Sequence, residues 1–225
     1  MAALIVAAFH TPVAAHDGAS ARYIGNEGVL VARGDTKILF DAFYAESFKG
    51  TYVLVSEADE SAMMKGEPPF DGVDAIFISH IHPDHFNSRK TIAYMRAHPN
   101  VRLYAGIDVI GAIRAADASS DPLMERVVPV HVVPGAPAKT FTIAGLEVEA
   151  FPIPHNGGGP TPNYAFRVLL DQKTRVIHLG DADPDDRHYA PYQADFDARP
   201  TDVAFPPFWM LLSESGKRVL EQRIR

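Results

Sequence analysis

The chain contains no cysteine, which removes disulfide stapling, zinc–thiolate sites and cysteine nucleophiles together, so any transition metal must be held by histidine and carboxylate. No run approaches the roughly 20 apolar residues of a membrane-spanning helix, and no membrane span is expected. Lys/Arg-rich stretches are also missing, and 21 Lys and Arg stand against 28 Asp and Glu for a formal charge of -7. That field repels phosphate backbones, so nucleic acid is not an expected partner and a nuclease is disfavoured. The absence of short-period repeats and low-complexity tracts excludes solenoids and linker-like chains. What is there is globular in character: 225 residues, 47% of them apolar and 22% charged, enough for one domain or a tight pair with a sizeable core. Ten histidines leave the histidine–carboxylate route to a metal open.

The N-terminal residues divide from the rest. Ala2 to Phe9 is a short apolar run, and Val13-Ala14-Ala15 ahead of His16 has the small residues of a secretory cleavage site, although the basic segment that opens such a signal is missing. Residues 1–15 are therefore expected to be a signal-peptide remnant, with a first strand or a frayed end as the alternative. The first reading makes the protein periplasmic or secreted, the second cytoplasmic.

From Tyr23 the pattern becomes strand-like. Glu27 to Arg33 and Thr36 to Asp41 flank Gly34-Asp35 as a hairpin. Ala42 to Asp71 reads mostly as a long loop, with weak helical periodicity around Glu57 to Met64. Val73 to Ser79 is an almost continuous apolar run of strand length, as a strand buried on both faces requires. Asn87 or Ser88 can cap a helix to about Ala97, followed by a strand Val101 to Ala105 and a helix Asp108 to Ala116. Two hairpins come next: Phe141 to Ile143 with Leu146 to Ile153, and Tyr164 to Leu170 with Thr174 to Leu179. A strand Asp202 to Phe205, a loop Pro206 to Trp209 and a helix Ser213 to Arg225 close the chain.

The buried strand delivers the chain into His80-Ile81-His82-Pro83-Asp84-His85. Three histidines and an acid at this spacing arise by chance at a given position about once in 100,000 times. Alternate positions of an extended turn can aim His80 and His82 at one ion while Asp84 and His85 face a second.

With this hexad the sequence resembles the metallo-β-lactamase-fold hydrolases, and more narrowly a branch that looks like the L-ascorbate 6-phosphate lactonases. The resemblance takes in the hairpin ending in Phe40-Asp41, His155 in Phe151-Pro152-Ile153-Pro154-His155-Asn156, and Asp181 in His178-Leu179-Gly180-Asp181. It implies an α/β fold, the αββα sandwich, over residues 16–225. It also implies a first metal on His80, His82 and His155, a second on Asp84 and His85, and Asp181 bridging the two. The ions are expected to be zinc, with iron or manganese as alternatives, about 3.5–4 Å apart and sharing a water acidified to hydroxide. Asp84 is the candidate catalytic residue, orienting that water or carrying a proton to the leaving group, and Asp41 would fix imidazole tautomers.

One departure stands out. The family's last histidine, a ligand of the second metal, normally follows the bridging aspartate, yet no histidine lies beyond His188. The chain is accordingly expected to lack the C-terminal end of the fold, with His188 either a substitute ligand or an exposed residue, and the second site is expected to bind metal more weakly. His178 is expected to be a satisfied core histidine. Phe43, Tyr44, Phe48, Tyr52, Phe70, Phe208 and Trp209 are candidates for a pocket wall or for core packing.

Three functions compete at this level. One is a metal-dependent hydrolase of a small-molecule lactone, ester or phosphodiester. Another is a mononuclear iron dioxygenase resembling the persulfide dioxygenases, needing only His80, His155 and Asp181. The third is a binding module that has kept the fold without turnover. The oligomeric state has no signature in the sequence.

Overall fold

The computed structural model describes residues 16–117 and 122–225, so the expected signal remnant lies outside the described residues. One sheet runs β1 (His16–Gly25), β2 (Gly28–Gly34), β3 (Thr36–Phe40), β4 (Ala75–Ile78), β5 (Arg102–Gly106) and β6 (Val127–Val130), in that spatial order. Its first three strands are antiparallel and the rest parallel. Parallel neighbours need crossovers, and α1 (Glu57–Lys65), α2 (Ser88–Ala97) and α3 (Ile107–Ala116) supply them. The second sheet has the order β11 (Val203–Phe205), β10 (Thr174–His178), β9 (Ala165–Leu170), β8 (Leu146–Phe151), β7 (Lys139–Ile143). Between β7 and β8 the chain turns on Ala144 and Gly145, both left-handed, as a two-residue hairpin requires.

Strand β4 shows how the layers form. Its side chains alternate, Ile76 and Ile78 packing with Ile92, Met95, Val109 and Ile113 of the helices, while Ala75 and Phe77 pack with Val148, Phe166 and Val168 of the second sheet. A third cluster covers that sheet's outer face, joining Phe151 and Ile177 to Phe196 of α4 (Gln193–Ala198), Met210 of α5 (Phe208–Leu212), and Val219. The layers are thus helix, sheet, sheet, helix, the αββα sandwich expected from the sequence. Among the described residues no helix is long and apolar enough to cross a membrane.

Three details differ from the sequence reading. Residues 127–130 form an edge strand that Pro129 disguised, since proline is tolerated at an edge but argues against a strand in the sequence. Phe208–Leu212 is helical rather than loop, because Pro206 and Pro207 precede it as a stiff lead-in. The expected helix Ser213 to Arg225 is shorter: α6 (Glu214–Arg218), capped by Ser213 Oγ accepting from the Gly216 amide, gives way to a single π turn over Val219–Arg223.

Candidate metal centre

Every candidate ligand sits at the same end of the two sheets, where strands deliver loops. His80, His82 and His85 follow β4; His155 follows β8; Asp181 follows β10. The two loops of the second sheet are stitched together. Asn156 N donates to Asp181 O (2.7 Å), Asp183 N to Pro154 O (2.8 Å), and Asn163 Oδ1 accepts from Asp181 N (3.1 Å).

The rings of His80, His82 and His155 lie pairwise 4.7–4.8 Å apart at interplanar angles of 76–84°. Together with Asp181 they offer four ligand atoms, all within 4.8 Å of one another. Hydrogen bonds fix which nitrogen points inward. His155 Nδ1 donates to the Asn156 carbonyl (2.6 Å), leaving Nε2 bare. Ser79 Oγ donates to Asp41 Oδ2 (2.5 Å) and so accepts from His80 Nδ1 (2.9 Å), again leaving Nε2 bare. His85 Nδ1 donates to Asp41 Oδ2 (2.9 Å), the carboxylate–histidine arrangement that orients an imidazole for a metal. The Nε2 atoms of His80 and His155 are buried without any hydrogen-bond partner. Such orphaned lone pairs are costly unless a cation meets them, so the residues fit a divalent ion.

Asp181 uses its two oxygens separately. Oδ2 lies 3.3 Å from His155 Nε2 and 3.9 Å from His80 Nε2, whereas Oδ1 lies 3.2 Å from His85 Nε2. Metal–ligand bonds of about 2.0–2.2 Å put two ligand atoms of one ion roughly 3–3.5 Å apart. The 3.3 and 3.2 Å spacings fall in that range and the 3.9 Å one lies just beyond it, so Asp181 presents one oxygen to His155 and the other to His85.

Protonation follows from burial and pairing. Burial, with His85 nearby, holds His80 well below the ordinary imidazole range, and burial with His155 lowers His82, so both stay neutral and able to ligate. Burial opposes charge on His85, but its hydrogen bonds to Asp181 and Asp41 outweigh that and hold it well up. The Asp181 carboxylate, 3.3 Å from its Nε2, raises His155. For Asp181 itself burial works against ionisation, and His155 and His85 overcome it, keeping the carboxylate anionic.

Asp84 is placed differently from the expectation. It is buried and lines a cavity of about 480 Å³ with His82, Tyr52, Lys49 and Trp209, but it belongs to none of the ligand groups among the described residues. His188 joins none either; its Nε2 lies 3.8 Å from Asp183 Oδ1. His178 is a satisfied core histidine as expected, stacked on Phe40 at 4.9 Å, donating from Nε2 to Glu27 O (2.8 Å) and accepting at Nδ1 from Gly180 N (3.2 Å). Of the aromatics, Phe48, Tyr52 and Trp209 line the cavity, and Phe43 and Phe70 are core. Two residues of the site have no signal in the sequence, Glu27 and Asn163. Glu27 groups with His85 and Asp181, and burial pushes its carboxyl well up.

Residues 36–215 match the family model described as the beta-lactamase superfamily domain, and the chain belongs to that superfamily, the metallo-β-lactamase-fold metal-dependent hydrolases. No curated protein sequence matches the chain. Among solved structures it is similar to the isothiocyanate hydrolase from Delia radicum gut bacteria, at 14% identity over 83% of this chain and 69% of that one (TM-score 0.53). It is also similar to CmlA, a diiron beta-hydroxylase from Streptomyces venezuelae, at 17% identity over 83% and 34% (TM-score 0.51). A third similar structure is the metallo-beta-lactamase fold protein YhfI from Bacillus subtilis, at 18% identity over 79% and 61% (TM-score 0.48). This chain spans less than two thirds of the length of the last two. At such identities the likeness shows the fold, and the chemistry must be argued from the site.

Proposed function

We propose that this protein is a metal-dependent hydrolase of a small-molecule lactone, ester or phosphodiester. Its first ion is held by His80, His82, His155 and Asp181. The observation that carries this reading is the convergence of those four ligand atoms with two bare, buried Nε2 atoms. When bound there, a divalent ion, zinc in the first instance, would supply the activation of a water and the polarisation of the substrate's carbonyl or phosphoryl oxygen. Around it, His80 and His155 hold their tautomers through Ser79 and the Asn156 carbonyl. Asp84, on the cavity wall beside His82, orients the attacking water or carries a proton to the leaving group. Lys49 at the same cavity supplies a positive charge for an anionic substrate group, which suits the lactonase-like branch. Phe48, Tyr52 and Trp209 give apolar walls that bind the substrate body.

The donor set of three imidazoles and a carboxylate, without thiolate, also suits iron, so an iron dioxygenase is the second reading. Elemental analysis of the purified protein and a panel of lactones, esters, phosphodiesters and β-lactams separate the two. Chelation should abolish hydrolysis and zinc restore it, and His82→Ala should lose most of its metal. Iron with dioxygen uptake and no hydrolysis would select the oxygenase, and full metal retention by His82→Ala would remove the centre proposed here.

A further inference from the structure

Glu27 occupies the turn between β1 and β2, 53 positions before the first hexad histidine, and its carboxylate ends beside the metal centre. One of its oxygens, a ring nitrogen of His85 and an oxygen of Asp181 lie within 4.8 Å of one another, and it is His85 Nε2 that faces Asp181 Oδ1, at 3.2 Å. Glu27 Oε2 is buried and has no hydrogen-bond partner. A buried carboxylate oxygen left unpaired is unfavourable by the same argument as the bare imidazoles, and because it faces acids as well as a histidine, a divalent cation satisfies the whole group at once.

The turn that presents Glu27 is held from three sides. Asn26 Nδ2 donates to Asp84 O (2.8 Å) and Asn26 N to Val53 O (3.0 Å). From the other sheet, His178 Nε2 donates to Glu27 O (2.8 Å), and the same ring accepts from the amide of Gly180, next to Asp181. The position of Glu27 relative to the hexad and to Asp181 is therefore built in by fixed backbone contacts. Gly25, at φ +129, admits no side chain here: a Cβ would meet the Tyr44 hydroxyl and the Val53 carbonyl.

The geometry points to Glu27 as a protein ligand of a second divalent ion, shared with His85 and with the Asp181 oxygen that faces His85. This rests on the metal-centre reading above and deepens it. Glu27 then takes the place expected for Asp84, which stands outside every ligand group among the described residues and is left for proton transfer at the cavity wall. One imidazole and two carboxylates leave a coordination position open for water or substrate, as catalytic sites do. The oxygen-rich set also admits manganese or iron in the second position more readily than the histidine-rich first one.

Zinc titration of the chelator-stripped protein, followed by calorimetry and by elemental analysis after desalting, tests the assignment. The parent protein should take up two ions per chain. Glu27→Gln should keep the first with unchanged affinity and bind the second about 10–100-fold more weakly or not at all. Glu27→Asp and Glu27→His, which retain a ligand atom, should restore part of that affinity. Thermal melts of the stripped variants confirm folding. Two ions bound by Glu27→Gln with parental affinities would overturn the assignment and leave the first centre standing, and so would a parent protein that binds a single ion. Loss of both ions together from Glu27→Gln would make Glu27 structural and also overturn it. A parent protein that binds no ion would remove the metal-centre reading itself.

Discussion

Asp41 illustrates how much one carboxylate can hold. Its Oδ1 accepts from the Ser79 amide (2.8 Å), and its Oδ2 accepts from both Ser79 Oγ and His85 Nδ1. All the partners are buried. The residue itself is left-handed, at φ 39, a conformation a non-glycine residue adopts at a cost. Asp41→Ala leaves three buried donors unpaired, and at about 1–3 kcal/mol for each lost partner the stripped protein should lose about 3 kcal/mol or more. Zinc affinity should fall by about 10–100-fold as His85 and His80 lose their orientation. Urea unfolding and zinc titration check the two effects, and an unchanged zinc affinity would show that Asp41 only supports the fold. Asp41 was legible through the resemblance, because Phe40-Asp41 ends the leading hairpin where the family has a strand-end aspartate, although the hexad begins 39 positions later. Glu27 was not: the sequence makes it the first residue of the strand Glu27 to Arg33, where a lone acid looks like an ordinary solvated strand end. Only the tertiary pairing of β1–β2 with the hexad loop brings it to His85.

At the scale of elements, the second sheet carries a buried polar link that the hydrophobic pattern does not announce. Arg167 on β9 is fully buried and donates from Nε to Glu149 Oε2 on β8 (2.7 Å). Its Nη groups donate to the carbonyls of Asp195 (3.0 Å) and Arg199 (2.5 Å), at the end of α4, and its guanidinium lies 5.0–5.1 Å from the rings of Phe151 and Phe196. The side chain both neutralises Glu149 and satisfies the Arg199 carbonyl just past the helix end, and it adds a second bond to the Asp195 carbonyl, which also accepts from the Arg199 amide. Arg167→Met should destabilise the protein by about 3–5 kcal/mol, the range for breaking a buried pair, with Arg199, 2.8 Å from Glu149, the compensating cation among the described residues. Denaturant unfolding measures it, and a loss below about 1 kcal/mol would mean that Arg199 takes over the pairing. The short helix α4 escaped the sequence reading for a related reason. With six residues it is too short to show periodicity, and its stability comes from Arg167 and the Phe151–Phe196 stack at 4.8 Å. Helix α2, by contrast, announces itself through Asn87, whose Oδ1 accepts from the Lys90 amide.

Across the whole molecule the metal centre lies between the two sheets. His80, His82, His85 and Glu27 come from one, His155 and Asp181 from the other. Below the centre the sheets meet through apolar contacts such as Phe77 with Phe166, at 5.3 Å, and the stack of Phe40 on His178. At the centre they meet through metal-ligating groups, among them the Nε2 atoms of His80 and His155, buried without a hydrogen-bond partner. An ion there bonds both halves at once, and the unfolded chain, with its ligands scattered between residues 27 and 181, offers no preformed site. Binding to the native state alone stabilises it by mass action, by about 2.7 kcal/mol when the free ion is at one hundred times its dissociation constant. For a chain of this length each kcal/mol moves the melting temperature by about 2–4 °C. Stripping the protein with a chelator should therefore lower Tm by roughly 5–10 °C, with full recovery on adding zinc and a further rise as zinc increases. In His82→Ala the recovery should be largely lost. Identical melting of stripped and zinc-loaded protein would show that no ion joins the two sheets.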